Sequence, residues 1–250
     1  MTSNLQADDE RESSRLEWAR QALGDPRASL HRASVDAGHR SYWRTVGADT
    51  SRIVMDSPPG LEDVRPWLRM RDLLESGGVR VPQVLARDVD TGFLLLEDLG
   101  GPTLAQVLDA SNADDYFEAA IDQLLRLQSI VPPADIGEFG EALLQRDAGL
   151  FEEWFLGRHL GLALNCEESE SLQLVQRRLM DNALAQQQVL THRDFMPRNL
   201  MPTEPALAVL DFQDCVRGPV AYDAVSLFKD AFLSWPLERV DGWLAQYHRR

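Results

Sequence analysis

The sequence predicts an α+β fold of two lobes: a small β-rich N-lobe over residues 1–97, and a larger, mainly helical C-lobe over residues 98–250. Three observations predict it. Between residues 41 and 96 apolar residues fall in short runs separated by Gly, Pro and Asp turns, a hairpin-like spacing. From about residue 102 the apolar spacing becomes helical. The charge changes as well. Residues 1–80 carry 12 arginines against 13 acidic residues, whereas residues 81–250 carry 13 basic against 27 acidic ones.

The elements follow in order. After a polar start expected to be frayed, Leu16, Ala19 and Leu23 share a helical face that Gly24-Asp25-Pro26 ends. Ser41–Val46 and Arg52–Met55 flank Gly47-Ala48-Asp49-Thr50-Ser51 as a hairpin, and Pro58-Pro59-Gly60 stops the second strand. Residues 61–76 read as a helix with Val64, Trp67, Leu68 and Leu74 inward. Val84–Ala86 and Phe93–Leu96 form a second hairpin around the Asp88–Gly92 turn, and a linker is expected near residues 97–103. Tyr116, Ala120, Ile121, Leu124, Leu125 and Leu127 line a long helix ended by Pro132-Pro133. Further helices fit 140–163, 168–187, 221–233 and 237–248, with short apolar pieces at Gln188–Thr191, Asn199–Met201 and Ala206–Leu210.

The 250 residues suit one or two domains, and 44% hydrophobic content is enough to bury a core. The net charge of −15 argues against general binding to nucleic acid or anionic membranes. Cys166 and Cys215 form no disulfide framework. The acidic start has no apolar stretch to act as a secretory signal, and no apolar run is long enough to span a bilayer. A cytoplasmic protein is the expectation. Of 25 basic residues only Lys229 is lysine, which leaves lysine-dependent chemistry a single candidate.

The most unusual segment is Leu190-Thr191-His192-Arg193-Asp194-Phe195-Met196-Pro197-Arg198-Asn199-Leu200, which contains H-x-D-x-x-x-x-N. Asp211-Phe212 follows the apolar run Leu207–Leu210. Phosphoryl transfer from ATP explains this spacing. One carboxylate must take or orient the acceptor's proton. A carboxamide and a second carboxylate must hold Mg²⁺, which prefers hard oxygen ligands. A tight loop would place Asp194 and Asn199 on one rim, and a following hairpin would bring Asp211 opposite.

These residues resemble the aminoglycoside phosphotransferase and choline kinase superfamily, which has a protein-kinase-like fold. Within it the chain is most similar to bacterial cell-wall amino-sugar kinases, which phosphorylate the anomeric hydroxyl of N-acetylmuramate and N-acetylglucosamine in peptidoglycan recycling. The matching stretches are Asp36–Arg44, Ile53–Pro59, Phe93–Gly100, Thr191–Met201 and Val209–Asp223 with the helix after it. The resemblance implies Asp194 as catalytic base, Asn199 and Asp211 as Mg²⁺ ligands, and His192 as a structural brace of the loop. It implies that Asp223 starts a helix beneath the loop, and that the backbone of Leu96-Glu97-Asp98-Leu99 receives adenine; taken without the resemblance, Glu97-Asp98 reads as a solvated turn with idle side chains. ATP would sit between the lobes. The acceptor site is the least legible part. Trp154 and Arg158 are its candidates, an aromatic face for a sugar and a cation for a lactyl carboxylate.

The pattern departs from the superfamily at two places. Kinase-like folds hold the α- and β-phosphates with a strand lysine, but here Arg52-Ile53-Val54-Met55-Asp56 offers Met55 or Asp56, depending on register. Three readings stand. Arg40, Arg44 or Arg198 substitutes, Mg²⁺ and loop amides suffice, or the protein is a nucleotide-binding pseudokinase. The superfamily also tends to continue past the equivalent of Arg250 with further helices, so a C-terminally shortened chain is an expectation. The acidic C-lobe keeps a second acceptor class open, a cationic one of aminoglycoside or choline type.

Overall fold

The computed structural model describes residues 2–35, 38–47 and 50–250, with the side chains of residues 2–8 and 35 left aside. Asp36 and Ala37 of the Asp36–Arg44 stretch, and Ala48 and Asp49 of the first hairpin turn, lie outside the described residues. The chain divides into two compact units, Met1–Ser76 with Arg80–Pro102, and Gly77–Val79 with Thr103–Arg250. The expected division after residue 97 lies five residues before the observed one at Pro102.

The first unit contains α1 (Thr2–Leu23), β1 (Ser29–Val35), β2 (Ser41–Val46), β3 (Arg52–Asp56), α2 (Arg65–Ser76), β4 (Val84–Asp88) and β5 (Phe93–Glu97). The strands make one antiparallel sheet in the order β1-β2-β3-β5-β4. Two expectations are corrected. The first helix begins at Thr2 rather than after a frayed start, and β1 joins the sheet where no strand was expected. β1 is an edge strand whose side chains are mostly exposed, so no apolar alternation marks it.

α1 covers one face of the sheet. Ala19, Val54 and Leu95 are buried there, with Trp18, Leu30, Trp43 and Ala86 packed around them. Strand alternation puts Asp56 on the same face as Val54 and turns Met55 to the other. Asp56 is 2% exposed, and its carboxylate accepts from Arg11 at 2.6 and 3.0 Å and from Arg15 at 2.9 Å. Arg11 and Arg15 are one helical turn apart, so they reach the carboxylate side by side. Their guanidinium groups also lie 4.1 Å from the Phe93 ring and 3.7 Å from the Trp43 ring. The register question at β3 is thereby answered. Asp56 is bound to α1, and Met55 carries no charge. At the adjoining turn, Gly92 (φ 77°) takes a conformation that favours glycine, and a Cβ there would meet the Ser57 carbonyl oxygen at 1.9 Å.

The second unit contains α3 (Leu104–Val107), α4 (Ala113–Gln128), α5 (Glu141–Leu150), a π-helical turn (Phe151–His159), α6 (Cys166–Ala185), β6 (Gln188–Thr191), β7 (Leu200–Met201), β8 (Ala208–Val209), β9 (Val216–Pro219), α7 (Ala221–Phe228) and α8 (Leu237–Arg249). α4 lies in its core, with Phe117, Ala120, Ile121, Leu124 and Leu127 fully buried. Phe117 gathers Phe228, Trp235 and Trp243 at centroid distances of 5.7, 5.9 and 4.2 Å. This aromatic cluster ties α7 and α8 to α4.

In the first unit α2 begins at Arg65 rather than at residue 61, and in the second unit α3 was not expected and two further helices differ from expectation. The single helix over 140–163 is α5 followed by a wider turn, in which Leu160 N–H donates to the Phe155 carbonyl five residues back, and the turn ends at His159 before Gly161 (φ 66°). α7 stops at Phe228 rather than residue 233, because the Asp230 carboxylate accepts from Phe232 N–H at 2.8 Å and pulls the chain into a turn.

The Asp56 clamp yields a stability prediction. Asp56→Asn leaves two guanidinium groups without their buried counter-charge and is expected to cost about 3 kcal/mol or more. Urea unfolding curves of the two proteins measure it, and an unchanged midpoint would refute the clamp as a stabilising contact.

Candidate active site

In the second unit, β6 pairs with β9 and β7 pairs with β8, both antiparallel. Residues 192–199 connect β6 to β7, and residues 210–215 connect β8 to β9. The Leu200↔Val209 pair brings Asn199 opposite Leu210, whose N–H donates to the Asn199 carbonyl at 2.8 Å. The candidate carboxylate of Asp211 therefore begins where the candidate loop ends.

Asp223, in the first turn of α7, holds the start of the loop. Its carboxylate is completely buried and accepts from the N–H groups of His192 (2.7 Å) and Arg193 (2.9 Å). Burial pushes its pKa up to about 7, against the lowering effect of those two N–H donors. The ionised form is the better acceptor for both, so the geometry is that of a carboxylate serving as anchor.

His192 carries the constraint onward. Its ring is fully buried, with Nε2 at 2.9 Å from the Leu210 carbonyl and Nδ1 at 3.3 Å from Asp194 N–H. One ring nitrogen must donate and the other accept, so the imidazole is neutral with its proton on Nε2. Burial lowers its pKa, which agrees, although the Leu210 carbonyl and the carboxylates of Asp211, Asp194 and Asp214 act the other way.

Asp194 has an exposed side chain on a fixed backbone. Its N–H donates to His192, while its carbonyl accepts from Met196 N–H and from the Asn199 side-chain amide, both at 2.9 Å. With the amide nitrogen of Asn199 so engaged, its Oδ1 is the atom left for a cation. Asp211 is exposed, and its Oδ1 accepts from Gln213 at 2.9 Å. Arg193 (φ 78°) and Asp211 (φ 60°) are the non-glycine residues with positive φ among those described, a conformation that costs roughly 1–3 kcal/mol at each. No group of three or more His, Cys, Asp or Glu able to hold a metal occurs among the described residues. Asn199 and Asp211 as a pair nevertheless fit Mg²⁺, which takes one or two protein oxygens and completes its shell with phosphates and water.

The arginines expected at phosphate have other partners. Arg44 donates to the Asp98 carboxylate at 2.7 and 3.0 Å and to the Gly100 carbonyl at 2.7 Å. Arg40 is buried, with its Nε 3.0 Å from Glu62. Arg198 is exposed and stacks 4.1 Å from the Phe232 ring, and it makes no ion pair among the described residues.

The carboxylates of Glu97 and Asp98 are also occupied, contrary to the expectation that they stand idle. Glu97 accepts from Arg80 at 2.5 Å and from Gln83 N–H at 3.2 Å, and its own N–H donates to the Gln83 carbonyl. Asp98 accepts from Arg44, Ser51 and Gly100 N–H. Burial raises the pKa of Asp98, but these donors outweigh it and hold the carboxyl below its ordinary range. The Leu96–Leu99 segment is thus braced on its side chains.

Trp154 and Arg158 lie on the exposed π-helical turn. Arg158 stacks 4.1 Å over Trp154 and pairs with Glu153 at 3.0 Å. Neither lines the cavity of about 590 Å³ that adjoins the candidate loop at Met196. That cavity is walled by α5, α6 and α7 and includes Tyr222 and Lys229, which the sequence did not suggest as acceptor residues. The one available signal was compositional, since Lys229 is the sole lysine.

Comparison with known proteins agrees with this geometry. The chain is 49% identical over 222 residues to the N-acetylmuramate/N-acetylglucosamine kinase of Pseudomonas putida, covering 89% of this chain and 66% of that protein. It is 46% identical to the kinase of the same name from Pseudomonas aeruginosa, covering 90% and 67%. The chain thus spans about two thirds of the length of these curated relatives. Among solved structures, an ADP-bound aminoglycoside phosphotransferase of type APH(2'')-Ib aligns with a TM-score of 0.66 at 16% identity, covering 95% of this chain and 82% of that one. A choline kinase from Streptococcus pneumoniae aligns with a TM-score of 0.60 at 17% identity, covering 88% and 74%. Both show the shared protein-kinase-like fold. Residues 29–250 match the phosphotransferase enzyme family, and the chain belongs to that family.

Proposed function

We propose that this protein transfers the γ-phosphoryl group of ATP to the anomeric hydroxyl of N-acetylmuramate or N-acetylglucosamine. The observation that carries this reading is the 46–49% identity with kinases so named, over about nine-tenths of the chain. The loop geometry supports the chemistry. Asp194 presents an exposed carboxylate on a backbone fixed at both N–H and carbonyl, which suits it to orient a hydroxyl and take its proton. Asn199 Oδ1 and Asp211 would hold Mg²⁺, which when bound neutralises phosphate charge. The backbone of Leu96, Glu97, Asp98 and Leu99 would receive the adenine. Of the three arginines, Arg198 is the best candidate for phosphate, because Arg44 and Arg40 have carboxylate partners.

A second acceptor class has one observation in its favour. Residues 81–250 hold 27 acidic against 13 basic residues, a field that attracts amines. A coupled ADP-release assay over amino sugars, aminoglycosides and choline separates the two readings, and phosphorus NMR of the product distinguishes an anomeric phosphate from other esters. ATP binding without transfer to any of these would instead favour a pseudokinase, the reading that the missing strand lysine motivates.

Two predictions follow from the loop. Asp194→Asn is expected to lower kcat by about 10³-fold or more while ATP affinity changes by less than about threefold, because only the acceptor's proton is left unserved. Near-normal turnover would remove Asp194 from the mechanism. The second concerns pH. His192 is neutral in the fold, with its pKa below the ordinary 6.5, so below that pH the unfolded chain binds a proton that the folded chain resists. Its stabilising contribution is complete above about pH 6.5 and is lost as pH falls through the folded value. In His192→Gln, which cannot take that proton, the fall in Tm between pH 7.5 and pH 5.5 should be smaller than in the parent. An equal fall in both would show that His192 is not buried as a neutral ring.

A further inference from the structure

The cavity beside the catalytic loop holds a charge arrangement that the proposed chemistry does not use. Its walls are largely apolar, with Leu144, Leu179, Met180 and Val225 among them. Three charged residues line it: Asp147, Lys229 and Asp230. Both acids are engaged. Asp147 accepts from Arg146 at 2.9 and 3.1 Å, and Asp230 accepts from Phe232 N–H at 2.8 Å. The Lys229 side chain is exposed and makes no ion pair among the described residues. An uncommitted cation in a mostly apolar cavity, whose carboxylates are already bonded, is suited to an anion carried on an apolar body.

α7 runs between the loop anchor and Lys229. Asp223, near the start of that helix, anchors the backbone beside Asp194, and Lys229 caps the other end. Six residues of helix span about 9 Å, a distance that one pyranose ring and a lysine side chain can bridge. At the loop end the cavity is bounded by Met196, two residues from Asp194, and by Tyr222, whose ring packs edge-on to Phe139 at 4.6 Å. Burial raises the pKa of the Tyr222 hydroxyl, and the carboxylates of Asp147 and Asp194 raise it further.

We propose that Lys229 is a specificity residue, which binds the carboxylate of an acidic N-acetyl amino sugar in this cavity and favours it over its uncharged counterpart. The inference rests on the amino-sugar reading above and deepens it. It also moves the cation for the lactyl carboxylate from Arg158, which is paired with Glu153 and stacked on Trp154, to the one lysine of the chain.

The test compares N-acetylmuramate with its methyl ester, which removes the charge and little else. Binding of each to the 250-residue chain is measured by calorimetry for the parent, Lys229→Met and Lys229→Arg. The parent should prefer the acid by about fivefold, the scale of a partly exposed ion pair. Lys229→Met should lose that preference, and Lys229→Arg should retain it. Equal binding of acid and ester by the parent, a preference that persists in Lys229→Met, or no binding of either compound would overturn the proposal. The same samples are assayed for ADP release. Lys229-dependent selection of the acid without phosphoryl transfer would uphold this inference and overturn the kinase reading. Transfer with no preference between acid and ester would do the reverse.

Discussion

One buried carboxylate sets the geometry of the candidate site. Asp223 is placed in the dry interior of the second unit, where a charge is costly, and its pKa of about 7 records that cost. In return it fixes two successive N–H groups, those of His192 and Arg193, that would otherwise go without a partner. Fixing both defines the direction of the chain at Arg193, whose φ of 78° an unrestrained arginine seldom adopts. The His192 imidazole then bridges from Asp194 N–H to the Leu210 carbonyl. Asp194 and Asp211, 17 positions apart in the chain, are thereby referred to a single rigid ring rather than to two independent loops.

This arrangement separates holding from reacting. The groups that hold, Asp223 and His192, are fully buried and have every relevant atom engaged. Of the groups that would react, Asp194 is exposed with only its backbone committed, and Asp211 is exposed with its carboxylate bonded to the nearby Gln213 side chain. Such a division lets a side chain meet a ligand without first breaking a structural bond, which is the physical content of preorganisation. The first unit repeats the pattern. Asp98 uses its carboxylate to grip Arg44 and Gly100, so the segment after β5 is braced by side chains rather than by its own peptide groups.

Legibility in the sequence followed the kind of interaction involved. Asp194, Asn199 and Asp211 could be read because phosphoryl chemistry demands those residue types at short, fixed spacing. Asp223 could be singled out only through the resemblance of Gly218–Asp223 to the family pattern, because by itself it reads as an ordinary helix cap. The Leu210 carbonyl could not be read, since every residue has a carbonyl and only the β7–β8 register selects this one. The fate of the arginines was equally hidden. Arg44 and Asp98 are 54 positions apart, and only the strand order β2-β3-β5 brings them together. β1 carries too few buried residues to show a period, and the widened turn after Leu150 has no local signature at all.

The absence of a lysine from β3 has a counterpart in the charges around that strand. A lysine in β3 would need a carboxylate or phosphate to offset its charge, but β3 instead ends in an acid that draws two arginines from α1. That acid faces α1, so the cations it recruits serve the back of the sheet, and the opposite face of β3 shows the uncharged Met55. Arg52, the cation of β3, shares the α1 face with Val54 and Asp56 by strand alternation, so the opposite face offers a polyphosphate no charge, and in the proposed reading the work would pass to Mg²⁺ held by Asn199 and Asp211 and to an arginine without a carboxylate partner. Arg198 meets that condition and stands next to Asn199 in the loop. The scarcity of lysine thus describes a division of cations. Arginine forks, which bind carboxylates in a bidentate way, take the structural pairs at Asp56 and Asp98. The single lysine, a compact point charge on a flexible stem, makes no ion pair among the described residues and stands exposed in the cavity wall, where its counter-charge is left to solvent or to a ligand.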